Sequence, residues 1–196
     1  WRSNNAASNW TKITESLTDP YSIGISRNAN PTVYLGGANM LFYRINAAGT
    51  ASAGNEVDLS ASVPANLSGS FISNLQVHPA DPTIVWAALS NYSVEPRLYK
   101  ITNATSASPV WTPVSGNLPA NLPVNWVQID PMHPDSVWFA ATDNGLYVTQ
   151  NGGISWVKET TIPNVMIPMI RFRENDRKLF IFTHGRGEWV ANVPAV

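Results

Sequence analysis

The sequence predicts an all-β protein built from one antiparallel four-stranded unit that is repeated along the chain. Hydrophobic residues make up 44% of the 196 residues, whereas charged residues make up 13%. Fifteen prolines and twelve glycines separate short apolar runs, a pattern typical of strands joined by turns. An internal repeat is the third observation, and it indicates stacked units that share a core. The chain is long enough to bury a sizeable core.

The repeat is defined by an aromatic residue at one fixed distance after a landmark residue. The landmarks are Arg27, Pro79, Pro131 and Arg173, and the aromatics are Tyr34, Trp86, Trp138 and Phe180. The predicted repeats cover approximately residues 21–64, 71–118, 124–161 and 166–193. In each repeat the first strand alternates apolar and polar residues. The second strand is almost wholly apolar, as expected for a strand covered on both faces.

The third and fourth strands follow in order within each repeat. We expect third strands at residues 41–45, 98–101 and 145–148, and fourth strands at 110–114 and 156–158. The last repeat has no visible fourth strand. Residues 9–13 resemble a fourth strand with no repeat before it, and we predict a lone outer strand there.

One turn, at residues 149–156, has a specific chemical pattern. It reads Thr-Gln-Asn-Gly-Gly-Ile-Ser-Trp. The short side chain of Asn151 can bond neighbouring backbone N–H groups, glycine accepts positive φ, and Trp156 can fold back over the hairpin. We therefore assign Thr149, Asn151, Gly153 and Trp156 a structural role.

This turn resembles the Asp-box, the Ser/Thr-x-Asp-x-Gly-x-x-Trp signature of sialidase-like (BNR) β-propellers, with Asn151 in the Asp position. Residues 183–190, Thr-His-Gly-Arg-Gly-Glu-Trp-Val, resemble the final blade of secreted bacterial Asp-box propellers. The resemblance covers residues 124–193, and it extends over 21–118 through the repeat alone. Only one of the four repeats carries a good Asp-box. The resemblance implies a β-propeller of four-stranded antiparallel blades, of which about four are present.

Four blades leave two arrangements open, because sheet edges must be covered. In the one we favour, the chain is part of a larger propeller whose remaining blades are missing or lie on another chain. In the alternative, residues 9–13 supply the fourth strand of the last blade beside residues 189–193. That pairing would close a four-bladed ring.

The resemblance implies a ligand site on the face opposite the Asp-box turn. That face contains the loops between second and third strands and the beginnings of the first strands. The candidate ligand-binding residues there are Trp126, Asp143, His184 and Arg186. An arginine beside a carboxylate and an imidazole can hold a sugar or an anion. The same Asp-Asn-Gly and His-Gly-Arg-Gly runs also suit tight turns, and this structural interpretation stays open.

The candidates for catalysis and metal binding are few. A glycosidase needs two facing carboxylates, and Asp143 and Glu95 are the weak candidates, supported by loop placement alone. We expect Asp130 to cap its turn. His78 and His133 lack metal-ligand spacing, so we expect no metal and no cofactor. Twelve Lys and Arg against thirteen Asp and Glu argue against a nucleic-acid partner. The sequence contains no apolar run of about 20 residues, so it predicts no membrane span.

These observations favour a non-catalytic, secreted Asp-box propeller module that serves as a scaffold or as a carbohydrate- or protein-binding platform. The alternative is the C-terminal part of a sialidase- or xyloglucanase-like glycoside hydrolase, with its catalytic carboxylates mostly outside this chain. Expected partners are the remaining blades, another chain of the same protein, a polysaccharide or a surface protein. Scarce lysine with abundant Asn, Ser and Thr favours a secreted or cell-surface bacterial protein.

Overall fold

The computed structural model describes residues 1–15, 19–92 and 95–195. Blade 1 contains β1 (Pro20–Ile25), β2 (Val33–Gly37), β3 (Phe42–Ile45) and β4 (Glu56–Asp58). Blade 2 contains β5 (Ile72–Val77), β6 (Val85–Leu89), β7 (Leu98–Thr102) and β8 (Val110–Pro113). Blade 3 contains β9 (Val124–Ile129), β10 (Trp138–Thr142), β11 (Gly145–Thr149) and β12 (Val157–Lys158). Blade 4 contains β13 (Met169–Arg173), β14 (Lys178–Phe182) and β15 (Glu188–Asn192).

Each blade is an antiparallel sheet whose strands pair in sequence order. Blades 1 to 3 have four strands, and blade 4 has three in the described part of the chain. The predicted fold class is confirmed: the chain is all-β, and its four blades are arranged as a β-propeller. In the described ranges the helices are two three-residue 3-10 turns, at Ser60–Ser62 and Ala65–Leu67. None of the described helices is long and apolar enough to cross a membrane.

The second strands lie deepest because a neighbouring blade covers each face. Every residue of β6 and β10 is buried, which explains their continuous apolar sequences. Three hydrophobic clusters fill the junctions between blades 1 and 2, 2 and 3, and 3 and 4. We call these junctions 1–2, 2–3 and 3–4. Trp86 and Trp138, two of the predicted aromatic markers, meet at junction 2–3 with ring centroids 5.2 Å apart.

In blades 1, 2 and 3 a side chain near the start of the first strand also bonds to the following blade. Ser22 Oγ donates to the carbonyl of Ile72 at 2.9 Å, Ser73 Oγ to that of Val124 at 3.0 Å, and Asn125 Nδ2 to that of Ile167 at 3.3 Å. Ser22 is the third residue of β1. Ser73 and Asn125 each directly follow, in the chain, the residue whose carbonyl accepts the preceding bond of the series. Pro168 follows the last acceptor, and its side chain has no donor. The series therefore ends at blade 4.

Blades 4 and 1 meet differently. Among the described residues, one ion pair joins them, between Arg27 Nη1 and a Glu174 carboxylate oxygen at 2.9 Å. The fourth hydrophobic cluster contains blade 1 residues and Ile13, and no residue of blade 4. The two blades therefore share no core.

The structure does not show the alternative arrangement, in which residues 9–13 pair with the strand around 189–193. Thr11 instead bridges to Arg2 through two backbone hydrogen bonds of 2.8 Å, and Ile13 is buried against blade 1. Arg2 also donates from Nη1 to the carbonyl oxygens of Ala48 and Ala51. These contacts hold the amino-terminal segment on blade 1, away from β15.

Candidate functional site

The Asp-box-like turn is held by its own side chains. Thr149 Oγ1 accepts the backbone N–H of Gly153 at 3.0 Å, and Asn151 Oδ1 accepts that of Ser155 at 2.9 Å. A Cβ on Gly153, where φ is +82°, would lie 2.6 Å from the carbonyl oxygen of Val114. Trp156 is buried and donates from Nε1 to the same carbonyl at 3.1 Å. The turn thus locks blade 3 onto blade 2.

The candidate site is a cavity of about 220 Å³ near the beginnings of the first strands, and we call it the mouth cavity. All four blades contribute to its lining: Tyr21 from blade 1, Phe71 just before blade 2, Trp126 from blade 3, and Met166 just before blade 4. The rings of Tyr21 and Phe71 lie 5.3 Å apart. Aromatic side chains from three blades therefore surround one opening.

Trp126 is half-buried on the wall of the mouth cavity. The guanidinium carbon of Arg171 lies 4.3 Å from its ring centroid, a cation–π contact. Burial lowers the pKa of Arg171. The indole Nε1 is buried without a hydrogen-bond partner in the described part of the protein. Because this N–H is covered by protein, the part of the ring that lines the cavity, rather than the N–H, is the candidate contact for a ligand.

Asp143 lies in a polar network beside the cavity. Asn125 Nδ2 donates to one carboxylate oxygen at 2.8 Å, and the Tyr92 hydroxyl donates to the other. Ser90 Oγ, which also lines the cavity, donates to Asn125 Oδ1 at 2.6 Å. The hydrogen bond to Asp143 raises the pKa of Tyr92. The network ties the described part of the loop after β6 to the loop after β10.

The second candidate carboxylate, Glu95, has other partners. It accepts from the Arg97 guanidinium and from the backbone N–H of Asn121 at 2.9 Å. Arg97 is buried and also donates to the carbonyl of Tyr92 at 2.8 Å. No contact among the described residues joins Glu95 to Asp143. Ser93 and Val94, part of the loop considered from sequence, lie outside the described residues.

His184 and Arg186 lie in the exposed turn between β14 and β15. The backbone N–H of His184 donates to the carbonyl of Met166 at 2.9 Å, which places the turn beside the mouth cavity. Gly185 has a φ of +85° and makes the turn possible. Both side chains are exposed. Within the described ranges, neither the imidazole nor the guanidinium forms a hydrogen bond or an ion pair, so both groups are accessible to a ligand.

Asp130 lies at the opposite ends of the strands and accepts the backbone N–H of Met132 at 3.0 Å. It also forms two hydrogen bonds, of 3.1 and 2.7 Å, with Arg177 of blade 4. Burial raises the pKa of Asp130, but the hydrogen bonds from Arg177 and Met132 outweigh it, and the net shift is downward. Asp130 therefore joins two blades as well as its own turn.

The sequence predicted Trp126, Asp143 and the loop that contains Tyr92 at this face, but it did not predict Tyr21, Phe71 or Arg171 there. The signal for Tyr21 and Phe71 was available, because both stand at the beginning of a first strand, as Trp126 does. In the described ranges, no group of three or more His, Cys, Asp or Glu residues could hold a metal ion. His78 Nδ1 accepts two backbone N–H groups of its own turn.

No protein-family model and no curated protein sequence matches the chain. The solved structures that are similar to the chain include the following three. The Cps50 (Swd1) β-propeller domain of Myceliophteria thermophila has a TM-score of 0.66 and 17% identity, over 90% of this chain and 52% of that chain. The extracellular domain of BT4673 from B. thetaiotaomicron has a TM-score of 0.61 and 18% identity, over 90% and 22%.

The third is the GH74 xyloglucanase of Xanthomonas campestris, with a TM-score of 0.56 and 16% identity over 83% of this chain and 26% of that chain. The chain thus spans about half the length of the Cps50 domain and about a quarter of the other two. At these identities the likeness establishes one property of the chain, which is its β-propeller fold.

Proposed function

We propose that the chain is a non-catalytic Asp-box propeller module of a secreted or cell-surface bacterial protein, and that it binds carbohydrate at the mouth cavity. The observation that carries the proposal is the convergence of Tyr21, Phe71 and Trp126, from three blades, on one opening. The extracellular domain among the similar structures supports the proposed location.

The chemistry of the cavity suits a sugar. Aromatic rings offer apolar faces for the C–H surface of a sugar ring, and nearby polar groups can orient its hydroxyls. Asp143 accepts two hydrogen bonds, and a carboxylate has about four acceptor positions. His184, exposed in the bordering turn, adds a group that can donate or accept.

Both candidate catalytic carboxylates are already engaged. Asp143 holds Tyr92 and Asn125, and Glu95 holds Arg97. Glycosidases place two carboxyl groups about 5 to 9.5 Å apart across the scissile bond, and the described contacts do not bring these two together. The alternative, a propeller glycoside hydrolase, is supported by likeness to the xyloglucanase. It would place the catalytic carboxylates mostly outside this chain.

Binding can be tested by affinity gel electrophoresis and calorimetry with soluble polysaccharides, xyloglucan included. We expect one class of polymer to bind, and we expect Trp126→Ala to weaken binding at least about tenfold, the loss of about one good contact. Tyr21→Ala, at an exposed position, should weaken it without risk to the fold. Trp1→Ala removes an exposed indole on the amino-terminal segment and should change nothing. No binding to any polymer, or equal binding by Trp126→Ala, contradicts the proposal.

Catalysis is tested separately with aryl glycosides, sialosides and xyloglucan. We expect no hydrolysis above background. Turnover that disappears in Asp143→Asn or Glu95→Gln would overturn the non-catalytic assignment, whereas binding without turnover agrees with it.

A further inference from the structure

Tyr92 is an exposed aromatic residue beside the mouth cavity. It is 65% exposed, which is more than its hydroxyl alone could supply, so its ring is open to solvent. Ser90, two residues earlier in the chain, lines the cavity and donates a hydrogen bond of 2.6 Å to Asn125, another lining residue. Tyr92 therefore lies next to the wall of the mouth cavity.

The outer end of the Tyr92 side chain is fixed by Asp143. The Tyr92 hydroxyl donates to one carboxylate oxygen, and Asn125 Nδ2 donates to the other at 2.8 Å. Asn125 is itself oriented, because it accepts from Ser90 Oγ and donates to the carbonyl of Ile167 at 3.3 Å. These bonds connect Tyr92, in the loop after β6, to the blade 3 side of the mouth cavity.

The backbone of Tyr92 is fixed by Arg97, which is 1% exposed. Arg97 Nη2 donates to the carbonyl oxygen of Tyr92 at 2.8 Å, and its Nε donates to the carbonyl oxygen of Asn91. Its Nη1 donates to Glu95, whose carboxylate also accepts the backbone N–H of Asn121 at 2.9 Å. Since a guanidinium is a planar, rigid fork of donors, these bonds fix the backbone at two successive residues.

Both carboxylates that were candidates for catalysis thus support the same tyrosine. Asp143 holds its hydroxyl, and Glu95 holds the arginine that binds its carbonyl group. A side chain that is already ordered loses little freedom when a ligand binds, so its contact contributes more to affinity. An exposed ring fixed at both ends is therefore suited to contact a ligand.

We propose that Tyr92 is a second sugar-binding platform beside the mouth cavity, and that the ligand is a β-1,4-linked glycan chain of at least two units. This inference rests on the carbohydrate binding proposed above for the mouth cavity. One sugar unit enters the cavity against Trp126, and the next unit stacks on the ring of Tyr92. Asp143 and Arg97 position that ring.

The linkage follows from the two platforms. A sugar stacks on an aromatic ring through a face of C–H groups. In a chain with equatorial β-1,4 linkages every unit has such a face, and the chain is extended, so successive units can lie on neighbouring rings. A single sugar can use the mouth cavity alone. Affinity should therefore rise with chain length, and Tyr92 should account for the rise.

Binding of sugars of increasing length tests this dependence. The probes are three series: glucose to cellotetraose, N-acetylglucosamine to chitotetraose, and xylose to xylotetraose. Ligand-observed NMR measures weak binding and calorimetry measures strong binding. We expect one series to bind, with a dissociation constant at least about tenfold lower for the tetrasaccharide than for the monosaccharide.

Two variants separate the two platforms. Tyr92→Ala, at an exposed position that does not threaten the fold, should abolish the gain with length and leave monosaccharide binding unchanged. Trp126→Ala should weaken binding at every length, because every probe uses the mouth cavity.

A third variant tests how the Tyr92 ring is held. Tyr92→Phe keeps the ring and removes its bond to Asp143, and it should weaken tetrasaccharide binding about threefold without changing monosaccharide binding. The matched control is Tyr43→Phe, because the Tyr43 hydroxyl also donates to an aspartate, Asp58, at 3.0 Å, on blade 1. This control should leave binding of every probe unchanged.

The outcomes distinguish this inference from the proposed function. If another polysaccharide binds but none of the three series does, the inference is wrong and carbohydrate binding stands. The same holds if Trp126→Ala weakens tetrasaccharide binding and Tyr92→Ala does not. A loss of monosaccharide binding in Tyr92→Ala also overturns the inference, as does an equal effect of Tyr43→Phe and Tyr92→Phe. If no sugar and no polysaccharide binds, both the proposed function and the inference are wrong.

Discussion

Junction 2–3 and the gap between blades 4 and 1 are built from equivalent strands, yet one is packed and the other is open. At junction 2–3, Trp86, Trp138 and Trp156 interlock, with neighbouring centroids 5.2 and 6.4 Å apart. At the gap, Ile23 and Ile25 of β1 are largely exposed. A repeat unit buries its faces only against a neighbour. The same apolar sequence pattern therefore forms a core at junction 2–3 and an exposed apolar face at the gap.

The hydrogen bonds differ in the same direction. Ser73 ties β5 to the start of β9, whereas Pro168, after the last acceptor, offers no side-chain donor. Junction 2–3 therefore combines apolar filling with a directional hydrogen bond near the beginnings of the first strands. Among the residues that the structure describes, the gap has one half-exposed ion pair, and exposed pairs contribute about 0 to 1 kcal/mol.

The largest expected effect comes from removing the Trp156 side chain, which fills junction 2–3. Trp156→Ala should lower the free energy of unfolding by about 3–5 kcal/mol, because it leaves a cavity beside Trp138 and removes the Nε1 bond to Val114. Trp10→Ala, at the open end, should change it by less than about 0.5 kcal/mol at low protein concentration. Urea denaturation measures both. Equal losses would show that the two ends do not differ.

The buried ion pair of junction 3–4 should have the next largest effect. Arg177→Met leaves the buried Asp130 carboxylate unpaired and should cost about 3 kcal/mol at pH 7. Asp130 has a lowered pKa, so in the parent chain its contribution is complete above an unfolded pKa of about 3.9 and is lost as the pH falls further.

In the Arg177→Met variant the hydrogen bonds from Arg177 are lost and burial remains, which favours protonated Asp130. The stability difference between parent and variant should therefore shrink as the pH falls from 7 towards 3. Urea denaturation at several pH values measures it. A difference that is constant with pH would contradict a stabilising role for the ionised pair.

Equivalent positions on the first strands give a third contrast. Leu75→Ala removes a buried side chain of junction 1–2 and should cost about 2–3 kcal/mol. Ile23→Ala, at the matching exposed position, should cost less than about 0.5 kcal/mol in dilute protein. Thermal unfolding and urea denaturation both measure the loss of stability in these two variants. A large cost for Ile23→Ala in a proven monomer would mean that blade 1 has a covered leading face.

The sequence predicted the blades well because their signal is local. Uninterrupted apolar second strands and aromatic residues at a fixed distance from a landmark survive in all four repeats. The position of residues 9–13 was not predictable in the same way. Their pattern predicted a lone outer strand, whereas the structure has a single isolated bridge there, between Thr11 and Arg2. Which edge a short segment pairs with depends on what lies within its reach, and this is a tertiary property.

The candidate site was predictable only in part, for the same reason. Their positions in the repeat predicted that Trp126 and Asp143 lie on one face, and in the structure both lie at or beside the mouth cavity. Ligand binding there stays a prediction. The Tyr92 bond to Asp143 and the Arg171 contact with Trp126 join different blades or loops. No spacing within one repeat encodes such contacts, because they depend on how neighbouring blades pack.

The smallest expected effect concerns the polar residue of the turn at junction 2–3. Asn151 Oδ1 accepts from Ser155 N–H and Thr149 Oγ1, both at 2.9 Å, and its Nδ2 donates to Ser155 Oγ at 2.8 Å. Asn151→Asp keeps the acceptor, and the Ser155 hydroxyl can turn to donate to the second carboxylate oxygen. Since charge-assisted bonds are stronger, the change should be neutral or stabilising by up to about 0.5 kcal/mol.

Asn151→Ala is the matched comparison, because it removes both acceptor and donor and should cost about 1 kcal/mol. Urea denaturation of the two variants beside Trp156→Ala separates the polar and apolar parts of the turn. If Asn151→Asp costs as much as Asn151→Ala, the Nδ2 bond to Ser155 matters more than the acceptor. The Asp-box would then be tuned to Asn in this chain. If both changes are small while Trp156→Ala is large, junction 2–3 depends mainly on its tryptophan, the element that the gap between blades 4 and 1 lacks.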